Sequence, residues 1–422
     1  FFRGTTDKHR GQEHLRTNME FDDEGVKTVT SASQRKCEND CLGCFLEHEE
    51  NNLLGDLLRE KHIHYIKISL NKLPGGFISL DASRPWLIYW MIHSLSLLDA
   101  EVDQSIFDGV VETLACYQNP LTGGFGGGSH QLSHCAPTYS ACLSLCIVGT
   151  DAAYGIIDRK KMYQFFLSMK TPSGGFRMHN DGETDVRATY TVLAVSSILN
   201  IMTPELIQGT ADWVCSCQTY EGGFGGEPFN EAHGGYTFCG FASLLILGET
   251  KKANVRSLLK WICRRQMSLE GGFQGRTNKL VDACYSFWQG SIPAMLALST
   301  DWYYSAKGRA GFGEDSRDAS HSILGDLIID QIALQKYLLQ CCQEQRGGLR
   351  DKPSKHRDHY HTCYALSGLS IAQNSGAKVI FPYNEYNHLR PTDPVYNICT
   401  EKLKSAMEFF AKLQRSHEYL IG

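Results

Sequence analysis

The sequence predicts an all-α fold, an α/α toroid (barrel) of about six helix pairs with inner and outer helix rings. Three features support this prediction: glycine-rich turns recur about every fifty residues, a strongly apolar segment follows each turn, and alternating β-branched strand patterns are scarce. Segments that are apolar nearly all round are typical of buried helices. If six such pairs stack and close, the inner helices surround a central cavity.

Gly-Gly turns define the repeat. Four read GGF and the fifth reads GGL, and their first residues are Gly123, Gly174, Gly222, Gly271 and Gly347. The first spacings are 51, 48 and 49 residues, and the last is 76 because a polar insert near residues 302–322 lengthens it. A Gln or Lys stands shortly before each turn, at Gln118, Lys170, Gln218, Gln266 and Gln343. This self-similarity indicates a repeat architecture.

Each unit has the same order of elements. An outer helix ends at the Gly-Gly pair, because glycine adopts the left-handed conformation that terminates helices. A short loop follows, and then an apolar inner helix such as TYSACLSLCIVG or YTFCGFASLLILG. Upstream of the first turn, PWLIYWMIHSLSLL at residues 85–98 has the same apolar character. The five turns and this upstream helix together give six pairs.

Length and composition set the expected domains and exclude some partners. We expect an N-terminal extension at residues 1–50, partly irregular, and a barrel domain at residues 51–422. The net charge of −5 and the pI of about 6.4 give no electrostatic basis for nucleic-acid binding. No stretch of 18 apolar residues occurs, so no membrane span is predicted. The 16 scattered cysteines and the polar N-terminal segment favour reduced thiols and a cytoplasmic location.

A polar residue stands eleven positions after the first glycine of every turn. These residues are His134, Asp185, His233, Asp282 and Asp358. Each comes just before an apolar helix, where Asp is a favoured N-cap, so plain capping is the structural alternative. In a closed toroid the five positions ring one mouth of the barrel. Helix N-termini that point toward that mouth favour anions.

The segment GGFQGRTNKLVDACYSFWQ, residues 271–289, carries the most informative chemistry. Asp282 and Cys284 offer a carboxylate and a thiolate, which both bind Zn²⁺. In the last repeat, His361 follows three residues after Asp358, the position that matches Asp282. Asp282, Cys284 and His361 therefore predict a three-ligand site with one open position, as in catalytic zinc sites. An incoming thiol bound at the open position would have a lowered pKa.

Cations and aromatic residues accompany these ligands. Arg276 and Lys279, with His233 and the Tyr285 hydroxyl, could hold a diphosphate leaving group. A solvated loop is the alternative for the two cations. Aromatic residues near the inner-helix starts could line an apolar pocket, although core packing is their alternative. They are Trp86, Trp90, Tyr139, Tyr190, Tyr236, Tyr285 and Trp288. The combination predicts alkyl transfer from a diphosphate ester to sulfur.

Long stretches of the chain resemble the β subunits of the protein farnesyltransferase family. They are LDASRPWLIYW, APTY, DVRATY, EAHGGYTFCG, GGFQGRTNKLVDACYSFWQ and RDHYHTCYALSGLS, in order between about Lys61 and Asn397. The resemblance implies an α/α barrel, one Zn²⁺ and a helical α subunit in an obligate heterodimer. It also implies that farnesyl passes from farnesyl diphosphate to the cysteine of C-terminal CaaX motifs, in proteins such as small GTPases.

The resemblance further implies roles for individual residues. The family's zinc ligands are matched by Asp282, Cys284 and His361. Its diphosphate-binding positions are matched by His233, Arg276, Lys279 and Tyr285. Positions around the isoprenoid are matched by Trp86, Tyr139, Tyr190, Cys239 and Trp288. The pocket for the last peptide residue is matched by Ala82, Ser83, Trp86, Trp90, His134, Ala136 and Pro137, and further peptide contacts by Arg187 and Tyr360.

Two residues favour farnesyl over geranylgeranyl transfer within this resemblance. Members that transfer geranylgeranyl carry a smaller residue where this chain has Trp86, so the indole shortens the pocket by steric exclusion. Asp351 matches the position tied to Mg²⁺ dependence in farnesyl-transferring members, whereas type-1 geranylgeranyl members carry Lys there. A carboxylate can hold Mg²⁺ against the diphosphate, which neutralises charge on the leaving group.

Other function classes provide alternatives. A geranylgeranyltransferase β subunit is the nearest of them. A terpene cyclase shares the toroid repeat, but its DxDD acid motif is not found, since Glu24 follows Asp22 and Asp23. A toroidal glycosidase needs two opposed carboxylates and has no use for Cys284. A helical repeat scaffold without catalytic activity has no need of three metal ligands at matched positions.

The N-terminal extension contains a cysteine triplet that the resemblance does not cover. It consists of Cys37, Cys41 and Cys44. A metal site is one interpretation of the triplet. Because no fourth ligand stands at a suitable spacing, we expect an exposed segment without a site.

Overall fold

A computed structural model describes residues 24–306, 328–376 and 378–413. Its α-helices, in chain order, are α1 (Val29–Glu50), α2 (Arg59–Asn71), α3 (Arg84–Leu97), α4 (Gln104–Ala115), α5 (Cys135–Val148), α6 (Asp151–Gly155), α7 (Arg159–Met169), α8 (Val186–Ile198), α9 (Pro204–Ile207), α10 (Thr210–Ser216), α11 (Gly234–Leu247), α12 (Val255–Cys263), α13 (Tyr285–Trp288), α14 (Ser291–Ala306), α15 (Gln331–Lys336), α16 (His359–Asn374) and α17 (Thr400–Ala411). A π-helical turn, Tyr337–Cys342, continues α15. Short 3₁₀ segments lie at Gly75–Ser83, Thr250–Lys252 and Glu385–Asn387. The described residues contain isolated β-bridges but no strands, so the predicted all-α class is confirmed.

The inner helices of the described chain form a closed ring. Helix α3 packs against α5, α5 against α8, and α8 against α11. Helices α13 and α14 together take the fifth inner position, because both pack against α11. Helix α13 also packs against α16, and α16 packs back against α3. With α2, α4, α7, α10, α12 and α15 as outer partners, the predicted toroid of six helix pairs is confirmed.

Side chains ahead of the Gly-Gly pairs hold the turns in shape. The amide nitrogen of Gln266 donates to the carbonyl of Gly271 at 2.8 Å, and Gln218 and Gln118 make the equivalent bond in their own turns. In the second turn the Lys170 ammonium takes this role, 3.3 Å from the carbonyl of its first glycine. In four of the five turns the repeated Gln or Lys is therefore a turn clamp, whereas Gln343 donates to the carbonyls of Asp56 and Leu339.

The glutamines that precede the turns also join successive outer helices. Gln266 also donates to the carbonyl of Asp330, the N-cap of α15, at 2.8 Å. Gln343 accepts a bond from the backbone amide of Leu58, just before α2, at 2.8 Å. Because Gln343 belongs to the last repeat and Leu58 to the first, this bond closes the outer ring.

The residue after each Gly-Gly pair anchors its turn in the core. These residues are Phe125, Phe176, Phe224, Phe273 and Leu349, and each has an exposed fraction of 0%. Each also forms a β-bridge with the Gln or Lys that precedes its own turn. Burial of one such side chain contributes about 1.5–3 kcal/mol, so the five anchors stabilise every repeat in the same way.

The N-terminal extension contains helix α1, which packs against the π-helical turn. Cys37 and Cys41 on α1 are buried, with exposed fractions of 5% and 0%. The expectation of an exposed segment is therefore wrong for these two residues, because the surface that covers them comes from a distant repeat. The predicted insert at 302–322 begins within α14, and its residues from 307 onward lie outside the described residues, as do residues 1–23. Within the described ranges, the helices are too short or too polar to cross a membrane.

Replacement of Gly222 by Ala should destabilise the protein more than replacement of Gly248 by Ala. Both glycines have positive φ, +110° and +71°, so each Ala costs roughly 1 kcal/mol of backbone strain. At Gly222 an added Cβ would also lie 2.1 Å from the carbonyl oxygen of Ser257, whereas at Gly248 nothing lies within 4 Å. We expect G222A to lose about 3 kcal/mol in urea unfolding and G248A about 1 kcal/mol. Equal losses would contradict the close approach of turn and outer helix.

Candidate metal centre at the barrel mouth

The polar residues that follow the turns lie at the N-terminal ends of inner helices, as predicted. Four of them cap their helix: His134 on α5, Asp185 on α8, His233 on α11 and Asp358 on α16. Asp282 differs, because its carboxylate accepts the backbone amide of Cys284 at 2.8 Å, one residue before α13 begins. Capping and a functional role are thus compatible at these positions.

The three predicted metal ligands meet where α13 lies beside α16. The ligand atoms of Asp282, Cys284 and His361 all lie within 4.8 Å of one another. His361 Nε2 is 3.4 Å from the nearer oxygen of Asp282. Cys284 is buried, with an exposed fraction of 4%, while the other two side chains are partly exposed. Among the described residues this is a compact O, S, N donor set with an accessible side, which fits a four-coordinate metal.

Asp358 orients the histidine of this group. His361 Nδ1 lies 2.6 Å from a carboxylate oxygen of Asp358, and the other oxygen accepts the backbone amide of His361 at 2.7 Å. Nδ1–H therefore donates to Asp358, and Nε2 faces Asp282 and Cys284. A carboxylate that sets the tautomer of a ligating histidine is a common feature of metal sites. Asp358 stands at a matched position in the sequence, but this role was not predicted.

Without a metal the three ligands hold different protonation states. Burial opposes the charged imidazolium, but hydrogen bonds to Asp282 and Asp358 raise the pKa of His361 to about 10. Burial and the neighbouring charge of Asp282 raise the pKa of the Cys284 thiol well above its usual range. Burial also acts to raise the pKa of Asp282, but hydrogen bonds from His361 and Cys284 outweigh it and lower the pKa. At neutral pH the metal-free group is a carboxylate, a thiol and an imidazolium.

A second group lies beside the metal ligands. The Tyr285 hydroxyl is 3.0 Å from His233 Nε2. His233 Nδ1 accepts the backbone amide of Gly235, so Nε2 carries the proton and donates to Tyr285. Burial and the charge of Arg276 lower the pKa of His233 to about 4, so this histidine is neutral at pH 7. The structure thus brings His233, Arg276 and Tyr285 together as predicted.

The cations on the preceding loop are less constrained. Arg276 pairs with Glu231 at 3.0 Å, and both side chains are exposed by 40% or more. Lys279 is exposed on the same loop. An exposed ion pair contributes little to stability, so Arg276 can exchange Glu231 for another anion at small cost. Glu231 was not anticipated from the sequence.

Asp351 lies next to the metal group. Its backbone carbonyl accepts the amide of Ala283 at 2.9 Å and the hydroxyl of Tyr337 at 2.8 Å. Its carboxylate pairs with Lys352, an interaction that was not predicted from the sequence. Burial and the charge of Asp282 raise the pKa of Asp351. The two carboxylates of Asp282 and Asp351 repel each other. A cation bound beside them, in addition to a metal ion at the three ligands, would reduce this repulsion.

An aromatic belt runs along the inner helices to the metal group. Ring centroids are 5.8 Å apart for Trp86 and Tyr139, 5.9 Å for Trp86 and Trp90, and 5.5 Å for Trp90 and Tyr360. The indole of Trp288 donates to the Tyr360 hydroxyl at 3.2 Å. Trp86, Trp90, Trp288 and Tyr360 stay partly exposed although they lie on inner helices. They therefore face open space inside the ring.

Backbone carbonyls of residues 395–396 lie at the end of this belt that is away from the metal group. The Tyr139 and Tyr190 hydroxyls lie 3.0 Å apart and donate to the carbonyls of Tyr396 and Val395, at 3.0 and 2.7 Å. Cys239 is buried beside them, with an exposed fraction of 6%. These carbonyl contacts had no signal in the sequence.

The residues matched to peptide contacts lie around the same mouth. Ala82 and Ser83 end the 3₁₀ segment, and the close backbone approach of Gly127 to Ala82 docks that segment on the first turn. His134 lies beside His179, with ring centroids 5.2 Å apart, and Ala136 and Pro137 form the first turn of α5. Arg187 is exposed and pairs with Asp185 at 2.5 Å.

Zinc binding should release about two protons per site at pH 7, because coordination needs a neutral imidazole and a thiolate. In the metal-free chain His361 has a raised pKa of about 10 and Cys284 remains a thiol, while Asp282 is already ionised. Affinity should therefore weaken as the pH falls. Calorimetry in two buffers of different ionisation enthalpy measures the release, which should drop to about one proton in H361Q. A release near zero in the unaltered chain would contradict these protonation states.

Comparisons with known proteins show the family of the chain. The family model described as "Prenyltransferase alpha-alpha toroid domain" matches residues 57–398. Protein farnesyltransferase subunit beta of Arabidopsis thaliana is 40% identical, over 91% of this chain and 90% of the relative. The same subunit of Pisum sativum is 43% identical, over 78% and 90%.

A solved structure shares the fold. The chain resembles Candida albicans protein geranylgeranyltransferase-I complexed with GGPP, with a TM-score of 0.67 and 22% identity, over 85% of this chain and 100% of that one. At this identity the match supports the fold alone, whereas the relatives near 40% identity carry the farnesyl name. The chain therefore belongs to the prenyltransferase toroid family, as a protein farnesyltransferase β subunit.

Proposed function

We propose that this chain, together with a helical α subunit in the cytoplasm, transfers farnesyl from farnesyl diphosphate to the cysteine of C-terminal CaaX motifs. The observation that carries the proposal is the convergence of Asp282, Cys284 and His361 beside an anion-binding group and an aromatic belt. Each part suits one component of the reaction: a thiol, a diphosphate and an isoprenoid. The relatives' subunit name supports an α partner.

The donor set fits Zn²⁺. One thiolate, one imidazole and one carboxylate are ligands that zinc accepts, and three protein ligands leave a position for substrate. Asp358 supplies the outer hydrogen bond that such a histidine requires. Zinc held by these residues would lower the pKa of a substrate thiol so that a thiolate forms at neutral pH. Cys284 is thus a ligand, not the nucleophile.

The diphosphate belongs at the group formed by His233, Arg276, Lys279 and Tyr285. His233 Nε2–H donates to the Tyr285 oxygen, which leaves the Tyr285 hydroxyl proton as an oriented donor for the diphosphate. Arg276 can leave Glu231 to form a charge-assisted bond with phosphate oxygens. Asp351 would hold Mg²⁺ against the diphosphate, after release of Lys352.

The isoprenoid belongs along the aromatic belt. Trp86, Tyr139, Tyr190, Cys239 and Trp288 contribute mostly apolar surface, and the Tyr139 and Tyr190 hydroxyl protons are already donated to backbone carbonyls. An apolar chain therefore leaves no hydroxyl there without a partner. The peptide end belongs near Ala82, Ser83, Trp90, His134, Ala136, Pro137, Arg187 and Tyr360.

In the proposed reaction a carbon–sulfur bond forms as a carbon–oxygen bond breaks. The acceptor cysteine loses its proton to solvent, and its sulfur attacks the first carbon of the allylic chain. The electron pair of the breaking bond leaves with the diphosphate. His233, Arg276, Lys279 and Tyr285 stabilise the charge that grows on the departing oxygens, which lowers the barrier. Positive charge develops on the allylic carbon near aromatic faces, which favour it.

Replacement of Cys284 by Ala should abolish zinc retention and reduce farnesyl transfer at least a hundredfold. The variant loses a ligand that lies within 4.8 Å of the other two. Zinc content by elemental analysis and transfer to a CaaX peptide are measured in the heterodimer. Cys363→Ala, at a buried thiol on α16 outside the metal group, is the matched control and should keep its zinc. Full zinc with normal turnover in C284A would refute the ligand assignment.

Replacement of Trp86 by Thr should shift donor preference toward geranylgeranyl diphosphate. Loss of the indole removes the ring that packs on Trp90 and Tyr139, and the vacated space suits a longer chain. We expect the ratio of kcat/KM for farnesyl diphosphate to kcat/KM for geranylgeranyl diphosphate to fall at least tenfold. Trp261→Phe on outer helix α12 is the control and should leave the ratio unchanged. An unaltered ratio in W86T would place the end of the donor pocket elsewhere.

A further inference from the structure

Four cysteines outside the proposed active site form a contiguous thiol cluster, which consists of Cys37, Cys41, Cys44 and Cys341. The first three lie on one face of α1, because residues at i, i+4 and i+7 share a helix face. Cys341 lies in the π-helical turn against which α1 packs. The structure therefore supplies the fourth thiol that could not be found by spacing along the sequence.

Contacts between the thiols run in a line. The thiol of Cys41 interacts with those of Cys37 and Cys341, and the thiol of Cys341 also interacts with that of Cys44. The Cys341 sulfur lies 3.8 Å from the backbone carbonyl of Cys41, which places it against the turn of α1 that leads to Cys44. Within the described chain no three of these thiols approach one another as closely as the Asp282 group does. The arrangement suits a bond between a pair of thiols better than a shared metal ion.

The four thiols differ in access. Cys41 and Cys341 have exposed fractions of 0%, and Cys37 of 5%. Cys44 is half-buried and is the member that solvent reaches most readily. A small oxidant that reaches the cluster therefore meets Cys44 first.

The surroundings also make Cys44, and not Cys341, the nucleophile when these two thiols react. A hydrogen bond from Cys341 lowers the pKa of the Cys44 thiol, against the opposing effect of burial, and the charge of Arg350 acts in the same direction. Arg350 is held there by bonds to the carbonyl of Cys341 and to Glu344, both at 3.1 Å. Thiolate character and partial exposure are the properties of cysteines that react with peroxides.

We propose that Cys44 and Cys341 form a reversible disulfide when the protein meets hydrogen peroxide. The Cys44 thiolate attacks one peroxide oxygen, the O–O bond breaks, and a sulfenic acid forms with release of water. The Cys341 sulfur then attacks the sulfenic sulfur, forming the S–S bond as the S–O bond breaks and a second water leaves. Two thiols lose two electrons and two protons, and one peroxide is reduced to two waters.

This site is independent of the proposed function. It uses no metal ligand, since Cys284 belongs to a different group. Its product would tie α1 covalently to the turn whose Tyr337 donates to the carbonyl of Asp351. The disulfide would therefore secure the N-terminal helix on the wall beside the candidate metal centre.

Peptide mapping of the intact heterodimer tests the proposal directly. The reduced protein is treated with hydrogen peroxide, blocked with iodoacetamide and digested with trypsin without reductant. The three α1 cysteines fall on tryptic peptide 37–59 and Cys341 on peptide 337–346. We expect a cross-linked pair of these peptides, lighter by two hydrogens than their sum, that disappears on treatment with dithiothreitol.

Single cysteine-to-serine variants identify which two cysteines form the disulfide. The cross-link should persist in Cys342→Ser and Cys41→Ser and disappear in Cys44→Ser. Cys116, an exposed cysteine on the surface, should instead react singly and form no cross-link within the chain. Oxidation confined to Cys116 and other single cysteines, or conversion of Cys44 to sulfinic acid without a cross-link, would overturn the proposal. Because the unaltered protein gives the primary result, a variant that fails to fold does not remove the test.

Discussion

Closure of the inner ring is the constraint on which the candidate site depends. The first and last inner helices, α3 and α16, are far apart in the chain, yet they must pack together to bury their apolar faces. This closure holds α16 beside α13 and so brings His361 to Cys284 and Asp282. It also brings Tyr360 to Trp90, which joins the aromatic belt to the metal group. The metal-ligand group and the apolar cavity both result from the packing of α3 against α16.

The ring also concentrates polar chemistry at one mouth. Four inner helices, α5, α8, α11 and α16, start there with a side chain that accepts exposed backbone amides, and the residue types that do so, Asp and His, are also metal and phosphate ligands. At Asp358 one oxygen caps α16 and the other orients His361. A position that first serves helix termination can therefore gain a functional role without disturbance of the fold. The anions that this mouth attracts are repelled by Asp282 and Asp351 unless cations are present, which is consistent with a centre built for metal ions.

Periodic features could be predicted from the sequence, and contacts between distant residues could not. The turns, their clamps and the inner-helix caps repeat every fifty residues or so, and the match of His361 with the Asp282 repeat indicated the ligand set. Asp351–Lys352 and Arg276–Glu231 are ion pairs that depend on loop conformation, so no spacing revealed them. The burial of Cys37 and Cys41 depends on a π-helical turn some three hundred residues later, a contact without a local signal. The Tyr396 and Val395 carbonyls that limit the belt are backbone groups, which residue type does not encode.

X-ray absorption at the zinc edge, on the heterodimer loaded with one zinc, tests the central claim most directly. We expect one sulfur ligand at about 2.3 Å and the remaining ligands as nitrogen or oxygen at about 2.0–2.2 Å. Addition of a CaaX peptide should raise the sulfur count from one to two, because the acceptor thiol takes the open position. A shell without sulfur, or one with several sulfurs before peptide is added, would contradict the ligand set of Asp282, Cys284 and His361.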